Sequence, residues 1–299
     1  MSTSMAGDDS DARATFDRLL GELRPKLHRY CARMTGSVVD GEDVLQEALV
    51  KAIRGFSQAG TIAYAEGWLF RIAHNAALDF LRQRGRQDAI RADADLDLIV
   101  DPDDTTDARQ IAAASLRTFM RLPVAQRSSV ILMDVLGYSL QEISSVMDAT
   151  IPAVKAALHR GRARLRQLAQ EPEDHPVPAL AEPDQARLAA YVERFNARDF
   201  DAIRDLLADE VRLDLVGRVR LNGRREVATY FSNYDRLTNW RFCLGSVEGR
   251  PAALVCDPAN LAQILYFVLL QWSDGRIVGI RDFRYARYAM ADADLHLWD

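Results

Sequence analysis

The hydrophobic period of this chain changes once, and that change limits what the chain can fold into. Before residue 170 apolar residues recur at three- and four-residue spacing with no strand-like alternation; after residue 210 short strand-like runs follow one another. Beside the switch lies Glu171–Pro183, with prolines at 172, 176, 178 and 183. Such a segment interrupts helices and makes a semi-rigid spacer. The 299 residues leave room for two or three domains. The expected architecture is multidomain, an all-α first part followed by an α+β part.

Within the first part, Phe16, Leu19, Leu20, Leu23, Leu27 and Tyr30 place a helix over Asp11–Met34. Further helices are expected at about 40–56 and 66–84. From Asp88 to Thr106 the aspartates at 93, 95, 97, 101, 103 and 104 repel one another, and Pro102 opposes a continuous helix, so this stretch reads as an acidic connector. Helices resume near Asp107 and run to Gln170. The expected bounds are 10–90 and 109–170 for two helical domains, 91–108 and 171–184 for linkers, and 185–299 for the α+β domain. In that last domain helices are expected at 185–197 and 200–207. Strands are expected at 211–216, 240–244, 252–256, 264–272 and 276–280, with Ser273-Asp274-Gly275 as a hairpin turn.

A net charge of −5 argues against nucleic acid only if it is evenly spread. It is not. Residues 113–170 carry +5 and residues 93–112 carry −6, so positive charge gathers in one short helical segment, as a DNA-binding element requires. The longest apolar run, Ile264–Leu270, is strand length, and Met1–Asp11 lacks the basic start and apolar stretch of a signal peptide. The expectation is a cytoplasmic chain without membrane insertion. Cys31, Cys243 and Cys256 are odd in number and lack metal-ligand spacing, so reduced thiols, no metal and no cofactor are expected.

Three constellations bear on function. In Asp40–Ala52, Val44, Leu45, Ala48, Leu49 and Ala52 form an apolar stripe, while Asp43, Glu47 and Lys51 stack on an exposed face beside Glu42 and Gln46. By itself this fits an ordinary solvated face. In Glu66–Arg86, Leu69, Ile72, Ala73, Ala76 and Phe80 form the buried side, and Trp68, Arg71, Asn75, Asp79, Arg82 and Arg86 line another. Arginines grip phosphates and an exposed aromatic stacks on an unpaired base; the alternative places Trp68 in the core. Third, Gln126–Leu136, Ser139–Met147 and Ile151–Arg166 read as helices. Ser139 and Glu142 are set for a reciprocal N-cap, and Pro152 suits a first turn. The last helix carries Lys155, His159, Arg160, Arg162, Arg164 and Arg166. Two short helices joined by a tight turn make a helix-turn-helix, whose second helix enters the major groove N-terminus first.

The pair "D-x-E-D-x-x-Q-E" and "W-L-F-R-I-A-x-N-x-x-x-D-x-x-R" resembles sigma region 2. The pattern from Leu122 to Arg166, "L-P-x-x-x-R … G-x-S-x-x-E-I … V-K-x-x-L-x-R-x-R-x-x-L-R", resembles sigma region 4. With an acidic connector in place of long middle regions, the chain resembles a sigma factor of the extracytoplasmic-function type. The resemblance implies RNA polymerase core as partner, met at the β′ clamp and β flap, and promoter DNA as the second partner. Asp43, Gln46 and Glu47 would face polymerase. Trp68, Arg71, Asn75 and Arg82, with Arg84 and Arg86, would lie near the melted −10 element. Lys155, His159, Arg160 and Arg162 would contact the −35 element, mostly as phosphate contacts. Ala156 and Ala157 replace residues that often supply base or phosphate donors in this family.

Ala190–Val216 resembles the opening of the SnoaL-like, cystatin-like α+β barrel, and Tyr266–Trp272 and Asp282–Tyr288 fit its final long strands. Some relatives use a barrel Asp or His as acid-base. The candidates are Asp214, Asp282 and Tyr266, with Trp240 and Trp272 as pocket walls. No Asp/His pair stands at an interpretable spacing, and His296 sits in a tail. The favoured reading has no catalytic residue: the domain modulates the sigma factor, with an anti-sigma partner or a small ligand left open. The alternatives are a helix-turn-helix regulator acting without polymerase, and an enzyme built on the barrel.

Overall fold

The computed structural model describes residues 5–59, 64–88, 111, 114–171, 182–235 and 237–298. Two compact units result, Met1–Glu173 and Asp174–Asp299. The acidic connector at 91–108 and most of the proline-rich linker lie outside the described residues.

The first unit begins with α1 (Met5–Thr35), α2 (Val38–Ala59) and α3 (Ala65–Asp88). Their apolar rows meet as periodicity demands: Leu27 and Tyr30 from α1, Val44 and Leu45 from α2, Leu69, Phe70 and Ala73 from α3 are all buried. Each large side chain withdrawn from water contributes roughly 1.5–3 kcal/mol. Helices α1 and α2 approach so closely at Gly41 that an added Cβ would lie 2.6 Å from the Ala32 backbone. Any larger residue there would push the pair apart.

Further helices among the described residues of the unit are α4 (Leu116–Met120), α5 (Val124–Val130, continued by a π turn over Ile131–Val135), α6 (Leu140–Met147) and α7 (Ile151–Leu168). Gly161 of α7 packs against α5, where an added Cβ would meet the Val130 side chain at 2.7 Å. Phe119, Val130, Ile131, Leu132, Ile143, Val154 and Leu158 join the same hydrophobic cluster as the residues of α1–α3. Arg127 is buried across the join. It donates to the Met34 carbonyl ending α1 (2.6 Å) and to the carbonyls of Leu122 (2.9 Å) and Met120 (3.2 Å).

The second unit opens with α8 (Glu182–Asn196) and α9 (Phe200–Asp205), then β1 (Leu207–Leu215), β2 (Val219–Asn222) and α10 (Arg224–Asp235). There follow β3 (Arg241–Val247), β4 (Arg250–Asp257), β5 (Asn260–Ser273), β6 (Arg276–Asp282) and β7 (Leu295–Leu297). One seven-stranded sheet runs β2-β1-β6-β5-β4-β3-β7. Only the β1–β6 pairing is parallel, and β2 and β7 form the edges. The helices cover one face over a core rich in aromatics, where Phe195 stacks on Phe242 at 3.9 Å. The β5–β6 hairpin turns at Asp274 and Gly275 with φ of 50° and 76°, the two left-handed residues that a type I′ turn requires.

Two expectations are corrected here. The sequence reading has only strands after 207, but α10 intervenes. Its apolar residues Val227, Tyr230, Phe231 and Tyr234 follow helical spacing and are buried. Asp282–Tyr288 is not a long strand: β6 ends at Asp282, and the chain continues to a 3-10 turn at Arg287–Ala291.

Candidate nucleic-acid and polymerase interfaces

The acidic face of α2 is more divided than its sequence suggests. Asp43 and Glu47 are exposed, and Glu47 pairs with Lys51 at 2.7 Å. Lys51 reaches on to Asp79 of α3 at 3.5 Å. Glu42, expected beside them on the surface, is buried instead and receives the Arg24 guanidinium from α1. The amide of Gln46, half-buried, donates to Glu42 at 3.3 Å. A buried carboxylate needs such a partner. The surface offered is therefore Asp43 and Glu47 with the edge of Gln46.

On α3, Arg71, Asn75 and Arg82 are exposed along one stripe. Arg82 pairs with Asp79 at 3.2 Å and Arg84 with Asp40 at 3.2 Å, exposed pairs of little energy that a phosphate can displace. The Arg86 side chain lies outside the described residues. Trp68 departs from its expected role as an exposed stacking group. It is half-buried, tilted against Phe16 at 6.2 Å, and a Cβ added at Gly55 would lie 3.1 Å from its ring, so it packs at the edge of the core. Part of the indole is thereby committed to packing, and part stays open to solvent.

The helix-turn-helix is built by its caps. Ser139 and Glu142 make the reciprocal capping box: the Glu142 carboxylate accepts from the Ser139 N–H at 2.8 Å, and the Ser139 hydroxyl accepts from the Glu142 N–H at 3.4 Å. Hydrogen bonds from the Ser139 side chain and backbone hold the Glu142 carboxyl below the usual range. Asp148 turns the chain in the left-handed region (φ 51°), and the Thr150 hydroxyl accepts from Ala153 N–H at 3.3 Å to start α7. Helix α7 then runs 18 residues without a carboxylate. Lys155 and Arg160 are exposed on it.

Three residues of α7 are less open than their sequence spacing suggests. Arg162 is held by Asp134 through two bonds of 3.0 and 2.6 Å, which tie α7 to the π turn. His159 is half-buried, and its Nε2 is buried without a hydrogen-bond partner among the described residues. Ala157 is buried and serves packing, whereas Ala156 is half-buried.

In the second unit the candidate pocket residues separate into two groups. Asp282 is fully buried, and one carboxylate oxygen accepts from the Tyr230 hydroxyl (2.7 Å) and the Tyr234 hydroxyl (2.8 Å), the other from Arg284 N–H (2.8 Å). Tyr266 joins through Tyr234 at 3.1 Å, and Trp240 lies edge-on to Tyr234 at 5.6 Å. Burial pushes the Asp282 carboxyl up, and the phenol and backbone donors offset part of that. Tyr191 hydroxyl and Trp240 Nε1 are buried without a hydrogen-bond partner among the described residues. Asp214 lies apart from this cluster, within ion-pair distance of Arg220 (3.5 Å) and Arg281 (3.8 Å). Trp272 is a partly buried member of the domain core near the end of β5. Tyr230 and Tyr234 are the residues that sequence reasoning missed. Their spacing of four on an unrecognised helix was the available signal. Among the described residues no His, Cys, Asp and Glu cluster fits a metal ion, and no helix is long and apolar enough to cross a membrane.

Residues 19–87 match the Sigma-70 region 2 family and residues 116–165 match Sigma-70 region 4, which cover α1–α3 and α4–α7. The chain is 33% identical over 168 residues to the ECF RNA polymerase sigma factor SigM of Mycobacterium tuberculosis, spanning 56% of this chain and 82% of that one. It is similar to the crystal structure of the extracytoplasmic function sigma factor SigJ of the same organism, at 19% identity and a TM-score of 0.34 over 87% of this chain and 93% of that one. The second unit is similar to a putative ketosteroid isomerase from Kribbella flavida, at 23% identity and a TM-score of 0.27 over 33% of this chain and 74% of that one. The helical half thus carries both conserved sigma regions in the order and spacing of their bundle and helix-turn-helix, and with the extent of the SigM match this chain belongs to the extracytoplasmic-function family of RNA polymerase sigma factors.

Proposed function

We propose that this sigma factor meets RNA polymerase core through Asp43, Gln46 and Glu47 on α2 and places promoter DNA on α3 and α7. The observation that carries this reading is α7 itself: a capped second helix of a helix-turn-helix, free of carboxylates, with Lys155 and Arg160 exposed. Arg71, Asn75 and Arg82 on α3 supply a second cationic and amide stripe for the melted strand. The small surface residues Pro152, Ala153 and Ala156 leave α7 few base-edge donors, so its contribution is chiefly to position the duplex. The α+β unit modulates this activity rather than carrying out chemistry.

The test is promoter binding and initiation by holoenzyme assembled from core polymerase and the full chain. Lys155→Ala and Arg160→Ala are each expected to weaken binding across promoter sequences and to lower the salt slope by about one unit, as one lost phosphate contact requires. Arg71→Ala is expected to block opening while leaving polymerase binding intact. An unchanged salt slope in both α7 variants would remove α7 from the DNA interface. Trp68→Ala is no substitute for Arg71→Ala, because loss of its packing would destabilise the bundle.

A further inference from the structure

We propose that Cys243 and Cys256 form an oxidisable dithiol in the second unit, converted by peroxide to a disulfide that staples β3 to β4. This chemistry is independent of polymerase and DNA. Antiparallel pairing sets Cys243 opposite Leu254 and Arg241 opposite Cys256, so both thiols stand on one face of the sheet, offset diagonally by two residues. The other face carries Phe242, Leu244, Ala253 and Val255 into the helix-covered core. Of the two diagonals at any point of an antiparallel pair, the right-handed twist shortens one. Gly245 shows which: an added Cβ there would overlap the side chain of Leu254, two residues beyond its own partner Ala252. Cys243 and Cys256 stand on the next such diagonal, since Cys256 lies two residues beyond Leu254.

The side chains are set to use it. Leu254, the residue facing Cys243, leans over Gly245 and leaves the next diagonal to the sulfurs. Cys256 leans back towards them: its Sγ lies 3.9 Å from the Leu254 carbonyl, on the rung of Cys243. The Cys256 thiol is pushed up to about 12, by burial first and then by the adjoining Cys243 sulfur. Cys256 is wholly buried and Cys243 half-buried, which gives the pair an order of attack. Cys243, reached from solvent, attacks one peroxide oxygen as its thiolate. The O–O bond breaks, the sulfur becomes a sulfenic acid, and the departing hydroxide takes up the thiol's proton as water. The Cys256 sulfur then attacks the Cys243 sulfur. The S–S bond forms as the S–O bond breaks, and hydroxide leaves with the Cys256 proton as a second water. The two thiols lose two electrons and two protons, and peroxide is reduced to two waters. A dithiol reductant reverses the step by exchange. The staple would fix β3, which also pairs with β7, in register.

The full-length chain is exposed to hydrogen peroxide, quenched, unfolded in an alkylating reagent and digested without reductant for mass spectrometry. The expected product is one peptide pair joined through Cys243 and Cys256, two hydrogen masses lighter than its parts. Cys31, wholly buried in the first unit with its thiol pushed up by burial, is expected to be recovered alkylated. The unfolding midpoint of the second unit, followed by tryptophan fluorescence, is expected to rise by roughly 3–8 °C on oxidation and to return with dithiothreitol. Cys256→Ser is expected to halt at the Cys243 sulfenic acid, captured by dimedone, and Cys243→Ser to leave Cys256 a thiol. Should either serine variant fail to fold, the peptide pair from the parent chain decides alone. A Cys243 sulfenic or sulfinic acid in the parent without the cross-link overturns the dithiol, as does a Cys243 disulfide between two chains. So does a pair left reduced by peroxide that oxidises glutathione in the same tube. A cross-link with an unchanged midpoint overturns the staple.

Discussion

Replacing Arg127 with Ala is expected to cost the helical unit about 3 kcal/mol and to lower its unfolding midpoint by roughly 6–12 °C. The buried guanidinium donates to three carbonyls, those of Met34, Leu122 and Met120, and so links the end of α1 to the turn before α5. Burial lowers its pKa to about 10, so it remains a cation at neutral pH and its bonds stay charge-assisted. Without it, buried acceptors stay unpaired and each costs about 1–3 kcal/mol, partly offset by no longer desolvating a charge. Arg127→Lys should recover only part of the loss, since an ammonium lacks the planar fork that spans separated carbonyls. Thermal unfolding followed by far-ultraviolet circular dichroism checks both. A midpoint within 2 °C of the parent for Arg127→Ala would mean that water replaces the guanidinium freely, and that the join between α1 and α5 is not held there.

An effect of similar size is expected in the second unit. Asp282→Ala strands the Tyr230 and Tyr234 hydroxyls and the Arg284 N–H, all bonded to one fully buried carboxyl, and should destabilise this unit by about 3–5 kcal/mol. The pH dependence carries a distinctive sign. Burial raises the Asp282 carboxyl in the folded state above its ordinary value of about 3.9. Between those two pKa values the folded unit binds more protons than the unfolded chain, so its stability falls as pH rises through that window and levels off above it. This is the opposite of a salt-bridged carboxylate. Asp282→Asn should be milder in cost and should abolish this component. Tryptophan fluorescence reports the unit well, because Trp240, Trp272 and Trp298 lie in it and only Trp68 lies in the other. Stability that instead climbs from pH 4 to 6 in the parent, and climbs equally in Asp282→Asn, would assign the titration to other groups.

Periodicity revealed the helices of the first unit because their apolar faces are narrow and continuous, and the capping box at Ser139–Glu142 was legible because both members are local. Burial across elements was not. Glu42 looks like one more acid on a solvated face until Arg24 of α1 is placed above it, and Arg162 looks like a solvent-facing cation until Asp134 is brought within 2.6 Å. Both depend on partners 18 and 28 residues away. Helix α10 was concealed by its own composition, since Val227, Tyr230, Phe231 and Tyr234 favour strands when judged singly. With it went the two phenols that turn Asp282 from a lone acid into the centre of a buried network. Trp68 marks the same limit: helical spacing puts it on the stripe of Arg71 and Asn75, but Phe16 of α1 decides that it packs.

Titration of a fluorescently labelled full-length chain with bacterial core RNA polymerase tests the sigma-factor reading most directly. Saturable one-to-one binding, weakened by charge reversal at Asp43 and Glu47, is the predicted result. A chain that shows no affinity for core polymerase, or binds it unchanged after both reversals, would contradict the account.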